Sequence, residues 1–182
     1  MVYQQDEVRL HGKKVVLREK DISDAGNDYT WAKDAELMHL DASEPFPLSF
    51  STFVLQYPHR LLDNGKIQFA IEVPVDKHIG NCTCYDIDTV RKEAELGIMI
   101  GDRDYWGKGY GTEAVQILMD YVFRVLDIER IVLHTLAWNT RARACFTRCG
   151  FIECGSVKRS GNEFIKMEAR SPRIDQVTPI YR

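Results

Sequence analysis

The apolar positions change period several times along the chain, and each change predicts an element. Ala114, Ile117, Leu118, Tyr121, Val122 and Val125 recur at i, i+3, i+4 and i+7, which is one face of a helix. Phe50, Phe53, Val54, Tyr57, Leu61 and Leu62 mark another helix, which Pro58 is expected to kink or shorten and Asn64-Gly65 to close. Ser23 offers an N-cap for a helix over 24–39, and Pro45 and Pro47 fall in the loop from Leu40 to Ser49 that follows. A run over 15–18 reads as a short strand, and runs over 67–73, 78–87 and 93–100 read as strands joined by hairpins. A strand over 130–136 follows the helix of Ala114, and that order predicts a parallel crossover pair. Asn139 is a good N-cap for a last helix with Ala142, Cys145, Phe146 and Cys149 on its apolar face, and Gly150 suits its C′ position. Two strands near 151–158 and 163–169 turn at Ser160-Gly161-Asn162, and 171–182 read as an exposed tail. The fold class is a single α/β domain over 1–182, with its core at about 8–170. It has a mixed, mainly antiparallel sheet, one parallel pair and flanking helices.

Composition narrows the class of protein but not its chemistry. The chain has 182 residues, 45% hydrophobic and 28% charged, as a folded domain requires. With 24 basic and 27 acidic residues it lacks the basic field of a nucleic-acid binder. No run reaches the roughly 18 apolar residues of a membrane span. The polar start, Met1 to Glu7, carries no secretion signal, and five cysteines are an odd number for a disulfide framework. A cytoplasmic location is therefore expected. Cys82-x-Cys84 is read as pointing to opposite faces of its strand, and no second pair joins Cys145-x3-Cys149 in a zinc site, so no metal is expected and the thiols read as core packing.

The stretch most suggestive of chemistry is Trp106-Gly107-Lys108-Gly109-Tyr110-Gly111-Thr112, between a strand end and a helix start. Alternating glycines let backbone approach a ligand, and the helix start offers free N–H groups to a diphosphate, with Lys108 adding charge. Gly107-Lys108 is followed by Gly109, which fails the Walker A pattern, and the glycine spacing fails the dinucleotide fingerprint. A ligand-free turn is the bland alternative.

Trp106 to Thr112, with Asn139 opening a helix that ends in Cys149-Gly150-Phe151, resembles the two halves of the acyl-CoA signature of the GNAT N-acetyltransferases. Leu17-Arg18 on a strand, with Trp31 and Asp34 on a helix, is similar to the branch of ribosomal-protein N-terminal and polyamine acetyltransferases. The resemblance implies transfer of an acetyl group from acetyl-CoA to a primary amine by direct attack on the thioester. It also implies that the parallel strands splay, and that the pantetheine arm pairs with free backbone at Met99-Ile100. Cofactor contacts are then expected from Met99, Ile100, Trp106, Gly107, Lys108, Gly109, Tyr110, Gly111, Thr112, Asn139 and Phe146. The pattern departs at Trp106, where Gln or Arg is common, at Ala142, where Ser is common, and at Phe146. Many relatives carry there a Tyr that protonates the leaving thiolate, and Phe cannot.

Glu95 precedes Gly109 by 14 residues, the offset at which histone acetyltransferases of this superfamily place a catalytic glutamate. Glu95 is thus the candidate base, against the alternative of a cross-strand-paired carboxylate. His134 is a weaker candidate on the strand entering the splay, more often a locally bonded sheet residue. Trp31, Asp41 and Glu44, with Asp34 and Phe46, lie on the acceptor side and suit a cationic amine, against the alternative of a solvated loop. The acceptors implied are a protein N-terminus, a polyamine or another small amine, and a homodimer is frequent in the branch. A non-catalytic acyl-CoA-binding module that has lost its proton donor is the competing class.

Overall fold

The computed structural model describes residues 8–63 and 65–172. Eight strands form one sheet: β1 (Arg9–His11), β2 (Val16–Glu19), β3 (Lys66–Val73), β4 (Lys77–Asp88), β5 (Glu93–Ile100), β6 (Arg130–Leu136), β7 (Ile152–Arg159) and β8 (Asn162–Arg170). Their order is β1-β2-β3-β4-β5-β6-β8-β7, antiparallel throughout except for the parallel pair β5 and β6. The crossover between those two strands is α4 (Tyr110–Arg124), and α5 (Thr140–Arg148) follows β6. These two helices pack with the sheet in the main core, where Phe69, Ile71, Leu118, Ile131, Leu133 and Met167 are almost wholly buried. Helices α1 (Ala25–Lys33), α2 (Ala35–Leu40) and α3 (Phe50–Leu61) form two separate smaller clusters.

Several expectations are corrected. The helix expected over 24–39 is two helices, because Asp34 turns extended (ψ 114°) and its carboxylate caps α2 by accepting from the Glu36 and Leu37 amides. Asp21, not Ser23, opens the first segment; its carboxylate accepts the Ser23 amide at 2.6 Å, and Asp24 accepts the Asp21 amide in return. Helix α3 runs through Pro58, which is exposed and near the helix end. Leu62 and Val125 lie just past their helices and are exposed, while Val115 and Phe123 are buried in place of Val125. Cys82 and Cys84 do not face opposite ways: strand residues two apart share a face, and both are buried in the main core. Strand β1 had no sequence signal beyond three residues. Of the expected tail, 173–182 lies outside the described residues, as does Asn64 of the expected turn.

Two buried polar networks fix α1 and α3 to the sheet. Arg18 on β2 holds Asp24 with both terminal nitrogens (2.9 and 2.6 Å) and Glu72 on β3 through Nε at 2.6 Å. The second network joins Lys20 to Asp28 and to Asn81 Oδ1 at 2.6 Å, while the Tyr57 hydroxyl and the Asn81 amide donate to Asp28 at 2.7 and 2.8 Å. Each group is fully paired, which is the condition under which buried charge is tolerated.

Burial alone would lift the Asp24 carboxyl, but the Arg18 hydrogen bonds, the Asp21 amide and the fields of His78 and Arg18 together outweigh it and hold the group below the ordinary range. The folded-state value is depressed, so this stabilisation is present above the unfolded value and is lost as pH falls through the folded one. Asp24→Ala leaves Arg18 buried without its main partner and is expected to cost about 3–5 kcal/mol in urea unfolding at pH 7. The variant should also lose part of the acid dependence of stability. An unchanged urea midpoint contradicts the assignment.

Candidate active site

Strands β5 and β6 are paired at only three positions, Glu93 with Arg130, Ala94 with Ile131 and Glu95 with Val132. Beyond them β5 stays on β4 as far as Ile100, and β6 stays on β8 as far as Leu136. The sheet therefore opens into a slot whose β5 side, from Leu96 onward, has no ladder partner. Close packing holds that side in place. A Cβ on Gly80 would meet the Met99 carbonyl at 2.2 Å, and one on Gly101 would meet the Trp31 ring at 2.1 Å. The Trp106 indole N–H donates to the Ile100 carbonyl at 2.6 Å and ends the strand.

The glycine loop lies at the mouth of the slot. Asp102 caps a short turn at Arg103–Tyr105, and Gly107 (φ 69°) and Gly109 (φ 86°) take left-handed conformations that L side chains rarely adopt. Gly109 is the N-cap of α4 and provides no side-chain acceptor, so amides of the first turn are left for a ligand. Gly111 lets this turn lie against Ile98 and Ile100.

A solvent-open cleft joins loop and slot. Of the expected cofactor residues, Met99, Ile100, Trp106, Gly107, Gly109, Gly111, Thr112, Asn139 and Phe146 line it, and so does Asp41. Lys108 and Tyr110 do not: the Lys108 ammonium folds back onto the Asp104 carbonyl at 2.6 Å, and Tyr110 packs on Tyr105. The cleft's cations are Arg141 and Arg148 of α5, which the sequence reading missed. With Cys145 they sit at i, i+4 and i+7, a face that the periodicity could have shown. Arg141 also lies 3.7 Å over the Trp106 ring. Trp31 is buried among Leu37, Met38 and Met99 with its ring 4.8 Å from His78, so it is a packing residue and not an open acceptor contact. Glu44 is exposed and outside the cleft lining. Asp41 is accessible at the rim, yet surrounding protein desolvates its carboxyl and raises it above the ordinary range, against a hydrogen bond from Ser43.

Glu95 lies beside the cleft lining, at the last paired position of β5. One oxygen of its carboxylate accepts the Tyr85 hydroxyl at 3.0 Å and faces His134 Nδ1 at 2.8 Å. Glu95 and His134 side chains are 16% and 12% exposed, so both are largely buried. Burial first, then the fields of Glu95, Asp86 and Asp41, push the Tyr85 hydroxyl well above its ordinary range. Three carboxylates thus act on one small region.

Cys145 and Cys149 converge on Thr112: the Cys145 sulfur is 3.3 Å from its hydroxyl and the Cys149 sulfur 3.5 Å from its carbonyl. The Cys149 proton has two acceptors, and donation to Cys145 stabilises that thiolate. This bond outweighs burial, and the Thr112 hydroxyl adds to it, bringing Cys145 to about 6 while Cys149 is pushed up. Among the described residues, no group of three potential metal ligands is gathered, and no helix is long and apolar enough to cross a membrane. Iodoacetamide at pH 7 is expected to alkylate Cys145 before Cys154, although Cys154 is the more exposed. Peptide mapping by mass spectrometry reads the order, and Cys154 reacting first contradicts the thiolate assignment.

Comparison with known proteins agrees with this geometry. A model described as an acetyltransferase (GNAT) domain matches residues 14–152. A spermidine N(1)-acetyltransferase of Vibrio cholerae is 29% identical over 114 residues, covering 63% of this chain and 65% of the relative. The chain thus aligns with just under two thirds of that protein. An uncharacterized N-acetyltransferase, p20, of Bacillus licheniformis is 34% identical over 134 residues, 72% of this chain and 75% of the relative. The crystal structure of spermidine N-acetyltransferase from Vibrio cholerae, in complex with CoA and spermine, shares the fold, with a TM-score of 0.78 at 23% identity over 87% of this chain and 96% of that one. The glycine loop, the splayed parallel pair and the family match together show that the chain belongs to the GNAT acetyltransferase family.

Proposed function

We propose that the chain is an acetyl-CoA-dependent N-acetyltransferase acting on a primary amine. The observation that carries this reading is the three-position pairing of β5 and β6, which opens a slot beside the uncapped start of α4. A thioester with a diphosphate tail has the matching chemistry. The first-turn amides of α4, with Arg141 and Arg148, would hold phosphate oxygens, and the free edge of β5 would pair with the pantetheine amides.

The amine nitrogen attacks the thioester carbonyl, the C–N bond forms, and the C–S bond breaks with its electron pair leaving on the CoA sulfur. The ammonium must first lose its proton, and Glu95 and His134, where β5 and β6 part, are groups able to accept it. Phe146 is 6% exposed and packs on Phe151, so it shapes the slot and donates no proton to the leaving thiolate. Asp41, Asp86 and Glu95 favour a cationic acceptor. Relatives that acetylate spermidine support a polyamine, and a protein N-terminus has the same reacting group.

Incubation with acetyl-CoA and a panel of spermidine, peptides with free N-termini and small amines should release CoA, read by a thiol reagent, with spermidine turned over. Binding of CoA without turnover of any amine supports the competing class, an acyl-CoA-binding module. Asp41→Asn should raise KM for spermidine by about fivefold and leave kcat unchanged, the size of one partly exposed charge contact. Gly109→Leu forces a left-handed residue at the start of α4 and should weaken CoA binding by at least about tenfold, from roughly 1–2 kcal/mol of backbone strain. An unaltered calorimetric Kd removes the loop from the site.

A further inference from the structure

The Glu95 carboxylate has two neighbours, and their arrangement assigns different roles to the residues around it. Oε1 accepts the Tyr85 hydroxyl, and a carboxylate oxygen has no proton to give, so His134 Nδ1 is the donor at 2.8 Å. An imidazole that carries its proton on Nδ1 presents a lone pair on Nε2. Among the described residues, no hydrogen bond or ion pair involves His134 Nε2. The contact spans the opening of the slot. Glu95 is the last residue of β5 paired with β6, while His134 lies two residues beyond Val132, its partner in that pair. The imidazole therefore stands where the parallel strands have parted, and its orientation is fixed from β5.

We propose that His134 Nε2 takes the proton from the acceptor ammonium and that Glu95 is a positioning residue, which fixes the His134 tautomer and steadies the imidazolium that forms. Tyr85, on the same oxygen, restricts the carboxylate to one rotamer. The proposal rests on the acetyltransferase reading above. The proton passes from the ammonium nitrogen to Nε2, the freed amine lone pair attacks the thioester carbon, and the C–S electron pair leaves on sulfur. The imidazolium then returns its proton to solvent. Imidazole is the side chain whose charge changes nearest neutrality, and a carboxylate partner on its far nitrogen is the arrangement that prepares an imidazole to accept a proton.

The charged groups around His134 are few. From β5 it meets Glu95, and through Glu95 it meets Tyr85 on β4. From β8 its register partner is Lys166. Two same-face pairs further back, Arg130 is already bonded to Glu93 at 2.7 Å and to Glu168 at 2.5 Å.

The test uses the full chain, acetyl-CoA and spermidine as the probe amine. His134→Gln is expected to lower kcat by about 10²-fold or more, in the range of a lost general base. Calorimetric affinity for CoA should stay within about twofold. The acid limb of the kcat/KM profile should vanish, leaving a rate that rises with the fraction of free amine. Glu95→Gln keeps an acceptor for Nδ1–H, so it should lose only about tenfold in kcat and retain an acid limb. A limb that survives in His134→Gln and disappears in Glu95→Gln overturns the assignment and makes Glu95 the base. A second measurement needs no acceptor: nitrogen NMR of the labelled imidazole above its titration should find the proton on Nδ1 in the wild type, and a proton on Nε2 overturns the proposal. Absence of spermidine turnover by the wild type counts against the polyamine reading, and the tautomer measurement then decides the dyad by itself.

Discussion

Strands β5 and β6 run parallel but remain paired for only three residues, and a buried strand edge left without a partner has to find one. The rest of the molecule either maintains that break or makes use of it. On one side β3 and β4 carry β5 along their full ladder; on the other, β8 carries β6. Each half-sheet is continuous, so the opening leaves stability to the flanks. Trp106 takes the last carbonyl of β5, and the loop that follows turns at once into α4. A free strand edge and a free helix start are thereby brought to one cleft. The extended amide-bearing arm and the diphosphate of an acyl-CoA need those two features together.

Helices α1, α2 and α3 are held by two small apolar clusters and by polar networks. Arg18 with Asp24 and Glu72, and Lys20 with Asp28, Asn81 and Tyr57, bind α1 and α3 to β2, β3 and β4. Such networks are directional, so they fix where α2 and its terminal Asp41 come to rest over the cleft. His39 on α2 stacks on Trp138 at 4.7 Å, which ties that helix to the segment between β6 and α5. Helix α2 is thus tied to the β6 side of the slot as well.

Much of the fold was legible because the relevant physics is local. Alternation and turn residues mark β3 to β8 within a residue or two, and the helical period marks α4 and α5. The glycine loop was legible for the same reason, since left-handed turns need glycine. The misreadings have a shared cause in contacts that a linear pattern does not carry. Asp34 reads as one more polar helix residue until its carboxylate is seen capping α2. Lys108 reads as a phosphate ligand until its ammonium is seen on the Asp104 carbonyl, with Arg141 and Arg148 supplying the charge from another helix. The offset from the loop singles out Glu95 only through the family resemblance, and its bond to His134 crosses 39 residues and the whole α4 crossover. That pairing depends on the register of two strands, which becomes visible only in three dimensions.

The central claim is that the parted edge of β5 is the binding surface for the acyl-CoA arm. A crystal structure of the chain grown with CoA tests it directly. The account predicts pantetheine amides hydrogen-bonded to the β5 backbone between Leu96 and Ile100, the diphosphate on the first turn of α4, and the sulfur emerging towards Glu95 and His134. A β5–β6 ladder closed beyond Glu95 and Val132, or CoA bound away from that edge, would contradict it.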